Sequence, residues 1–465
     1  MTEDTTLSRS GRRRPAPGVG FGASLCLAIA CDEPLRPARR HDLSGVDVVT
    51  LARGRGEPTV EGRHLALPLD DPRTSAPHAR IARLRGGWTV EDLNSKNGVI
   101  RNGRRVSQAR LSDGDVLELG HTLLLFVEGA LPTAGGPAGE GAPAGPRHPD
   151  FATLLPELAK SYGALARVAA SPSPILLTGE TGTGKEIAAR AVHELSGRRG
   201  AFVPVNCAAI PPSLVESELF GVRRGAYSGA TESRMGLVRA SGGGTLFLDE
   251  VGDLPQSSQA ALLRVLSDGE VLPVGETRAE RVDLRVVSAT HRDLDAMVGR
   301  GEFRADLLAR LSGFRLRLPP LRERREDIGL ILARLLPRVA GTRASGMKLS
   351  CEAGYALLRH GWPQNVRELE KALTVATALA EGDEIRLEHL SAPLQEAARA
   401  QEPPSEVARP LRPEEEDLRV RLETLLTEHR GNVAAVARVL GKARMQVHRW
   451  MKRCGIRVAA FRDRR

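Results

Sequence analysis

The stretch PILLTGETGTGKEIAARAVHEL, residues 174–195, decides the fold of the middle of this chain. Its apolar start, residues 174–178, predicts a buried strand, and residues 186–195 have the composition of a helix. The loop between them, residues 179–185, is a phosphate-binding sequence in the strand–loop–helix context that such a loop requires. Its glycines let backbone N–H groups close around a phosphate, while the helix N-terminus and Lys185 supply positive charge. We therefore expect a nucleotide site here.

Two carboxylates follow a second apolar strand, residues 245–248, and complete the expected site. A buried parallel strand places Asp249 at its C-terminal edge beside the loop, where it can hold Mg²⁺. Glu250 can then orient or deprotonate the attacking water. A glycine-rich turn without function and a solvated acidic turn are the alternatives, and the presence of both motifs favours ATP hydrolysis. A further strand over residues 284–289 and the intervening helical stretches indicate a parallel α/β sheet.

Outward from this site, two stretches poor in large apolar residues predict linkers. They are residues 128–149, EGALPTAGGPAGEGAPAGPRHP, and residues 394–413. With a leader at residues 1–22 that we expect to be disordered, they divide the 465 residues into blocks at 23–127, 150–393 and 414–465. The central block becomes helical from about residue 323, which indicates a helical lid on the α/β domain. We therefore expect a multidomain chain.

The basic residues are unevenly distributed. The net charge is +10, and residues 430–465 alone contain eleven Lys or Arg and one Asp, so the remainder is balanced at 56 basic and 56 acidic residues. This segment indicates a surface for a polyanion, nucleic acid first, with a solvated tail as the alternative. The five cysteines are scattered without zinc-ligand spacing, which favours a reducing cytosol. No run of 18 apolar residues occurs, so we expect a cytoplasmic protein without a membrane span.

A third motif lies between the two nucleotide motifs, where ELFG at residues 218–221 is followed by GAYSGA at residues 225–230. It resembles the GAFTGA loop of the sigma-54-dependent activators, a branch of the AAA+ ATPases, and the resemblance extends over residues 150–393. These proteins carry Glu after the P-loop lysine, as at Glu186, where the general motif has Ser or Thr. The resemblance implies an activator that binds ATP and remodels the sigma-54 RNA polymerase holoenzyme to open promoters.

The same resemblance implies roles for the matching residues. Asn206 would hold Glu250 in a switch that reports the γ-phosphate, and Arg367 would be a sensor from the lid. Arg304 and Arg310, six apart on a helix, would reach the neighbouring subunit's nucleotide, which implies a hexameric or heptameric ring. The nucleotide would contact Gly179, Glu180, Thr181, Gly182, Thr183, Gly184, Lys185 and Glu186. The loop pressing on sigma-54 would comprise Gly225, Ala226, Tyr227, Ser228, Gly229 and Ala230.

Some arginines and some departures from the family pattern carry alternatives. A surface ion pair is the alternative for each arginine above, and we expect Arg322, Arg324 and Arg325 to be surface or interface charge. Ser228 stands for the family's Thr, and His291 stands where Asn is usual beside the nucleotide. These two departures favour one rival function, a DNA-binding regulator that acts without engaging sigma-54 and uses ATP only for assembly. A scaffold with a decayed ATPase is a second rival.

The first block predicts an all-β sandwich, because seven short apolar runs alternate with Gly, Asp and Asn turns. The runs are residues 25–30, 48–51, 65–69, 79–84, 88–93, 116–119 and 123–127. RG at 53–54, SAPH at 75–78, DLNSKNG at 92–98, NG at 102–103 and LSDGD at 111–115 follow in the order of a forkhead-associated (FHA) domain. The block is similar to that family over residues 23–127. Such sandwiches bind phosphothreonine peptides, which implies contacts from Arg53, Ser75, Lys96 and Asn97. Ala76 replaces the family's usual Arg, and a degenerate FHA contact surface is the alternative.

The last block predicts three helices and resembles the Fis-type helix-turn-helix. Gly431 and Asn432 open the second helix, residues 440–442 make the turn, and residues 443–453 form the recognition helix. Val447 and Met451, four residues apart, should face the core of this block. The resemblance implies that double-stranded enhancer DNA is bound through Arg444, Gln446, His448, Arg449 and Lys452. A generic basic amphipathic helix is the alternative.

Overall fold

The computed structural model describes residues 21–84, 87–130, 148–226 and 232–399, and in the C-terminal part residues 421–422, 424–429, 432–441, 446–447 and 450–451. The chain forms two compact units, residues 1–401 and 402–465. The first unit contains a β-sandwich, an α/β domain and a helical lid. Among the described residues, no helix is both long enough and apolar enough to cross a membrane.

The N-terminal part is a sandwich of two six-stranded sheets, which confirms the predicted all-β fold. The strands are β1 (Phe21–Ala30), β2 (Arg39–Asp42), β3 (Val48–Arg53), β4 (Thr59–Glu61), β5 (His64–Leu69), β6 (Ala79–Leu84), β7 (Gly87–Asp92), β8 (Val99–Arg101), β9 (Arg104–Val106), β10 (Gln108–Arg110), β11 (Val116–Leu119) and β12 (Thr122–Ala130). The sheet orders are β2-β1-β12-β11-β8-β9 and β10-β7-β6-β3-β5-β4. Only the β3–β5 pair is parallel among the described strands of this sandwich. Leu25, Leu51, Ile81 and Phe126 fill the core between the sheets.

The central part has a five-stranded sheet in the order β14-β17-β20-β13-β21, with all four pairings parallel, as predicted. Its strands are β13 (Ile175–Thr178), β14 (Phe202–Asn206), β17 (Thr245–Asp249), β20 (Arg285–Thr290) and β21 (Phe314–Arg317). Two-residue strands pair outside it: β15 (Gly221–Val222) with β16 (Arg234–Met235), and β18 (Glu270–Val271) with β19 (Glu280–Arg281). The helices are α1 (Pro156–Ala169), α2 (Lys185–Ser196), α3 (Val215–Phe220), α4 (Leu237–Ala240), α5 (Gln256–Asp268), α6 (Leu294–Gly299) and α7 (Ala305–Leu311). The parallel arrangement brings the ends of β13, β14, β17 and β20 to one edge.

The lid contains α8 (Ile328–Ala340), α9 (Cys351–Arg359), α10 (Asn365–Leu379) and α11 (Ala392–Arg399). It is not wholly helical, because β22 (Lys348–Leu349) and β23 (Glu384–Ile385) form a short parallel pair. Its buried apolar residues belong to a cluster that also contains residues of β1, β11 and β12 from the sandwich. The lid and the sandwich therefore share one hydrophobic core.

The second unit is described only in part, and its helix α12 spans Val433–Val439. Asn432 Oδ1 accepts a hydrogen bond from Ala435 N at 3.2 Å, so this residue caps the helix. Val447 and Met451 are buried in a small cluster together with Leu422, Leu426, Val433, Val436 and Ala437. Burial of Val447 and Met451 is what their spacing predicts.

Candidate functional site

The phosphate-binding loop connects β13 to α2, and its glycines adopt conformations that other residues avoid. Gly182 has a φ of 79° and Gly184 a φ of 101°. A Cβ at Gly182 would also lie 2.2 Å from the carbonyl oxygen of Gln364 in the lid. Lys185 begins α2 and is buried, and its Nζ donates to Gly179 O at 2.8 Å and to Glu180 O at 3.2 Å. Backbone carbonyl groups of the loop therefore bind the ammonium group of Lys185.

Asp249 is the last residue of β17 and lies close to Lys185 at the sheet edge. Burial raises the pKa of Asp249, and the neighbouring Glu250 raises it further, while Lys185 opposes both effects. Burial likewise lowers the pKa of Lys185, and Glu250 and Asp249 counter this. A desolvated lysine can bind the phosphate groups of a nucleotide, and the two carboxylates beside it can bind the cation that accompanies them. One Asp carboxylate together with nucleotide phosphates is a donor set that fits Mg²⁺.

Glu250 follows Asp249 in a left-handed conformation with a φ of 53°. Its Oε2 accepts hydrogen bonds from His291 Nδ1 at 2.8 Å and from His291 N at 3.2 Å. Asn206, paired in register with Asp249, instead accepts a bond from Ala208 N at 3.0 Å. In this structure the residue that holds Glu250 is thus His291, and the switch role of Asn206 stays a prediction.

Two arginines between the sheet and the lid, and the first residue of the lid helix α10, contact the phosphate-binding loop, and the sequence did not predict these contacts. Arg324 is only 6% exposed and its Nη2 donates to Thr183 O at 2.6 Å. Arg322 forms an ion pair with Glu180 at 2.5 Å. Asn365 Nδ2 donates to Thr181 O at 3.0 Å. The expectation of surface or interface charge is wrong for Arg324, because packing of the lid on the loop buries it. Arg325 is half-buried, and its Nε donates to Leu358 O at 2.7 Å.

The three arginines expected to complete the site are exposed. Arg304 immediately precedes α7 rather than lying within it, and pairs with Asp306 at 2.7 Å. Arg310 lies in the last turn of α7. Arg367 lies on α10, where Val366 N donates to Gly182 O at 2.9 Å. Exposure leaves these guanidinium groups available to a nucleotide or to another subunit.

The loop at residues 225–230 is described only at Gly225 and Ala226. Tyr227, Ser228, Gly229 and Ala230 lie outside the described residues. The base of the loop is anchored by backbone bonds: Arg223 N donates to Val274 O at 3.0 Å, and Val274 N donates to Gly221 O at 2.9 Å. The residues that lead into the loop, 221–223, are therefore hydrogen-bonded to Val274.

The four residues predicted to bind a phosphopeptide meet at one end of the sandwich. Arg53 N donates to Ser75 O at 2.8 Å, and Lys96 N donates to Ser75 Oγ at 3.0 Å. Asn97 Nδ2 donates to Arg73 O at 2.7 Å. His78 is buried beneath them and accepts from Ser75 N at 3.0 Å. The arrangement leaves Arg53 and Lys96 exposed as cations beside one hydroxyl, which suits a phosphate group.

Of the residues predicted to contact DNA, only Gln446 is described, and it is exposed. Arg444, His448, Arg449 and Lys452 lie outside the described residues.

Comparison with known families defines the class of protein. Residues 153–317 match the Sigma-54 interaction domain, residues 322–407 the AAA+ ATPase lid domain, and residues 54–120 the FHA domain. The central part is thus an AAA+ ATPase domain. The chain is 42% identical over 355 residues to the nitric oxide reductase transcription regulator NorR1 of Cupriavidus necator, covering 71% of this chain and 67% of that protein. The chain belongs to the family of sigma-54-dependent transcriptional activators and carries an FHA domain.

Other relatives match over a smaller share of their length. The acetoin catabolism regulatory protein of Cupriavidus necator is 44% identical over 307 residues, which cover 64% of this chain and 46% of that protein. The chain thus spans about half the length of such curated relatives. Among solved structures, NtrX from Brucella abortus in complex with ADP is 32% identical, with a TM-score of 0.48, over 64% of this chain and 68% of that one.

Proposed function

We propose that this protein is a cytoplasmic transcription activator that binds enhancer DNA and hydrolyses ATP to remodel the sigma-54 RNA polymerase holoenzyme. The observation that carries the proposal is the convergence of Lys185, Asp249 and Glu250 at one edge of the sheet beneath the lid. A P-loop lysine, a metal-binding aspartate and a glutamate are the groups that phosphoryl transfer to water requires.

Each residue has a defined task in this proposal. Lys185 and the loop amides bind the phosphates, and Asp249 holds Mg²⁺, which would neutralise charge on the β- and γ-phosphates. Glu250 orients or deprotonates the attacking water. Arg304, immediately before α7, and Arg310, in its last turn, are exposed. There they would stabilise the phosphoryl group that is transferred in a neighbouring subunit. Catalysis in trans makes a homo-oligomeric ring, with a hexamer as our proposal, the active form.

The loop at residues 225–230 would couple hydrolysis to sigma-54. Its base is hydrogen-bonded to residues 272–276, which follow β18, so movement of either segment is transmitted to the other. Tyr227 and Ser228 of this loop would contact the sigma factor, and the aromatic ring would supply apolar contact area. The C-terminal helices would keep the ring near the promoter by binding enhancer DNA.

In vitro transcription from a sigma-54 promoter tests the mechanism. Wild type should give ATP-dependent open complexes, and Glu250→Gln should give none, because the amide cannot accept the proton of the attacking water. The variant should still bind ATP, since Lys185 and Asp249 are unchanged. Open complexes formed by Glu250→Gln without phosphate release would contradict the proposal. Crosslinking of the loop to sigma-54 in the presence of a transition-state mimic separates it from a regulator that acts by DNA occupancy alone.

The FHA domain supplies the regulatory input in this proposal. Arg53, Ser75, Lys96 and Asn97 would read a phosphothreonine on a partner protein or on the chain itself. A phosphothreonine peptide library titrated against the full chain should show binding that Arg53→Ala reduces by about tenfold or more, as expected for one charge-assisted phosphate contact. Equal binding of phosphorylated and unphosphorylated peptides would remove this input.

A further inference from the structure

Three neighbouring strands of the sandwich, β1, β12 and β11, carry buried apolar residues on both faces, which is unusual for an antiparallel sheet at the surface of a small domain. In β12, Leu124 and Phe126 face the sandwich core, whereas Leu123 and Leu125 belong to the cluster formed with the lid. β1 shows the same alternation, with Leu25 in the sandwich core and Cys26 in the lid cluster. The outer face of this sheet therefore packs on another layer.

That layer is the lid, and two lid glycines permit very close packing. A Cβ at Gly329 in α8 would lie 1.8 Å from the carbonyl oxygen of Ala28. A Cβ at Gly354 in α9 would lie 2.7 Å from a methyl group of Leu123. Larger residues at either helix position would force the two layers apart. We call this contact, between β1, β11 and β12 on one side and α8 and α9 on the other, the sandwich–lid seam.

Polar contacts fix the seam in one register. Leu349 N donates to Cys31 O at 2.8 Å, so β22 of the lid continues the backbone bonding of the sandwich. Lys348 pairs with Asp32 at 3.8 Å. Arg40 Nη1 donates to Leu154 O at 3.2 Å, at the start of the α/β domain. A buried apolar face with directional hydrogen bonds at its edge has the character of an interdomain core rather than of a transient contact.

The seam also lies next to the candidate phosphopeptide site. The β11–β12 turn contacts α9 through Gly120 O, which accepts from Cys351 Sγ at 3.7 Å. On its other side the turn holds the loop that carries Ser75: Asp71 Oδ2 accepts from His121 N at 2.7 Å and from Thr122 Oγ1 at 3.0 Å. One short turn thus touches both the phosphopeptide loops and the lid.

At its far side, the lid reaches the nucleotide. α9 leads through Trp362, which is fully buried, into α10. Asn365 and Val366 at the start of α10 hydrogen-bond the backbone of Thr181 and Gly182 in the phosphate-binding loop. The position of the lid therefore decides whether the loop is held.

We propose that the FHA sandwich is a built-in layer of the AAA+ lid, and that the sandwich–lid seam is the surface through which the sandwich controls nucleotide binding. This inference rests on the proposed function in one respect: the signal is a phosphothreonine bound by the sandwich. If the sandwich and the lid moved apart along the seam, the lid would no longer be held against the phosphate-binding loop. ATP binding would then weaken. Coupling between two such sites is reciprocal, so nucleotide must also alter binding at the sandwich.

The test uses a pair of Gly→Ala variants in the full chain, because alanine favours helix at both positions. Gly329→Ala places its Cβ against the backbone oxygen of Ala28, whereas at Gly163 in α1 the nearest atom to a Cβ lies at 3.8 Å. We expect Gly163→Ala to keep or slightly raise the Tm and to leave the KM for ATP unchanged. Gly329→Ala should lower the Tm, speed amide exchange in β1 and β12, and raise the KM for ATP by roughly fivefold or more.

Equal behaviour of the two variants would overturn the proposal. Because Gly329→Ala could also fail to fold, zero-length carbodiimide crosslinking of wild type provides a second measurement. It should join Lys348 to Asp32, and Lys348→Met should abolish that crosslinked peptide. Absence of the crosslink, although Lys348 reacts with an acylating reagent, would also overturn it. If these measurements confirmed the seam but no phosphopeptide bound, only the phosphothreonine signal would be removed from the proposal.

Discussion

At the scale of single residues, Glu250, the glutamate that we propose to be catalytic, is held by a histidine. His291 donates to Glu250 from both its ring and its backbone, and Asn206 is engaged elsewhere. We expect His291→Ala to lower kcat for ATP by about 10- to 100-fold, the range for misplacing a reacting group, with a small change in KM. His291→Asn should recover part of kcat, because an amide can donate the same bond. Steady-state phosphate release measures this.

Asn206→Ala is the matched comparison for that prediction. A loss of kcat larger than that of His291→Ala would show that the glutamate changes partner during turnover and that Asn206 holds it in the reactive state. An unchanged kcat in both variants would mean that neither contact positions Glu250.

Glu118 makes the sandwich–lid seam sensitive to pH. Burial and, to a smaller extent, the charge of Glu352 in the lid raise the pKa of Glu118 to about 7, while a hydrogen bond from Cys351 opposes the shift. Because the folded pKa exceeds the unfolded one, the stabilising contribution is complete below the unfolded value of 4.5 and is lost as pH rises through 7. We expect Glu118→Gln to increase the free energy of unfolding by about 2 kcal/mol at pH 8 and by little at pH 5. Urea denaturation at both pH values tests this, and a gain that is equal at the two would contradict it.

Residues that act through local sequence could be predicted, and those that act through distant packing could not. Gly182 and Lys185 belong to one contiguous motif, and Asp249 ends a strand that its apolar sequence predicts. Arg324 reaches Thr183 only because the chain between sheet and lid folds back over the loop. Nothing in the neighbouring sequence distinguishes it from the exposed Arg322, so its burial had to come from the structure.

At the scale of elements, a buried arginine joins the central sheet to α1. Arg285 in β20 is 2% exposed, and its guanidinium donates to Ala169 O at 2.5 Å, to Val168 O at 3.1 Å and to Ser173 O at 3.3 Å. It thereby satisfies carbonyl groups at the C-terminus of α1 that have no partner within the helix.

Replacing this arginine should weaken the α/β domain. We expect Arg285→Met to lower the free energy of unfolding by about 2–4 kcal/mol, because several carbonyl groups lose a charged donor in a buried position. The control Arg281→Ala removes a side chain that is 88% exposed and should change stability by less than about 0.5 kcal/mol. Denaturant titration of both variants provides the measurement. A neutral Arg285→Met would show that water can replace the guanidinium.

Strands with a clear apolar pattern were predicted, whereas three-residue strands and the packing of β1 and β12 on the lid were not. The strands β3, β6 and β11 can be predicted because their apolar residues lie between residues that favour turns. β4, β9 and β10 have three residues each, too few for a pattern, and exist only through their neighbours in the sheet. β1 and β12 were recognised as strands, but only packing reveals that their second apolar face meets the lid.

At the scale of the whole molecule, the sandwich and the ATPase domain form one unit although a stretch with the composition of a linker, residues 128–149, connects them in sequence. The predicted linker starts too early, because residues 128–130 are the end of β12. Such a linker predicts independent domains, because composition describes the connection and carries no information about the surfaces that the connection brings together. The buried face of β12 against α9, on which the proposed regulation depends, could therefore not be predicted from the linker.

The net positive charge of the chain is concentrated in residues 430–465, and this makes the proposed DNA binding directly testable. Outside residues 430–465 basic and acidic residues are equal in number, so long-range attraction to DNA must come from this segment. Each phosphate contact releases counter-ions and contributes about −0.9 to the slope of log K against log salt concentration. We expect Lys452→Ala to make that slope less steep by about 1, uniformly across DNA sequences.

Arg444→Ala and Arg449→Ala, on the predicted recognition helix, should behave differently from Lys452→Ala wherever the side chain contacts a base. Loss of a base contact costs about 1–3 kcal/mol on the specific site and reduces discrimination against other DNA. Arg281→Ala, in the α/β domain, is the control and should change neither slope nor specificity. Fluorescence anisotropy over a range of salt concentrations measures both. If Arg281→Ala and Lys452→Ala reduced the slope equally, the basic segment would be a solvated tail, and the ring would need another means of reaching its promoter.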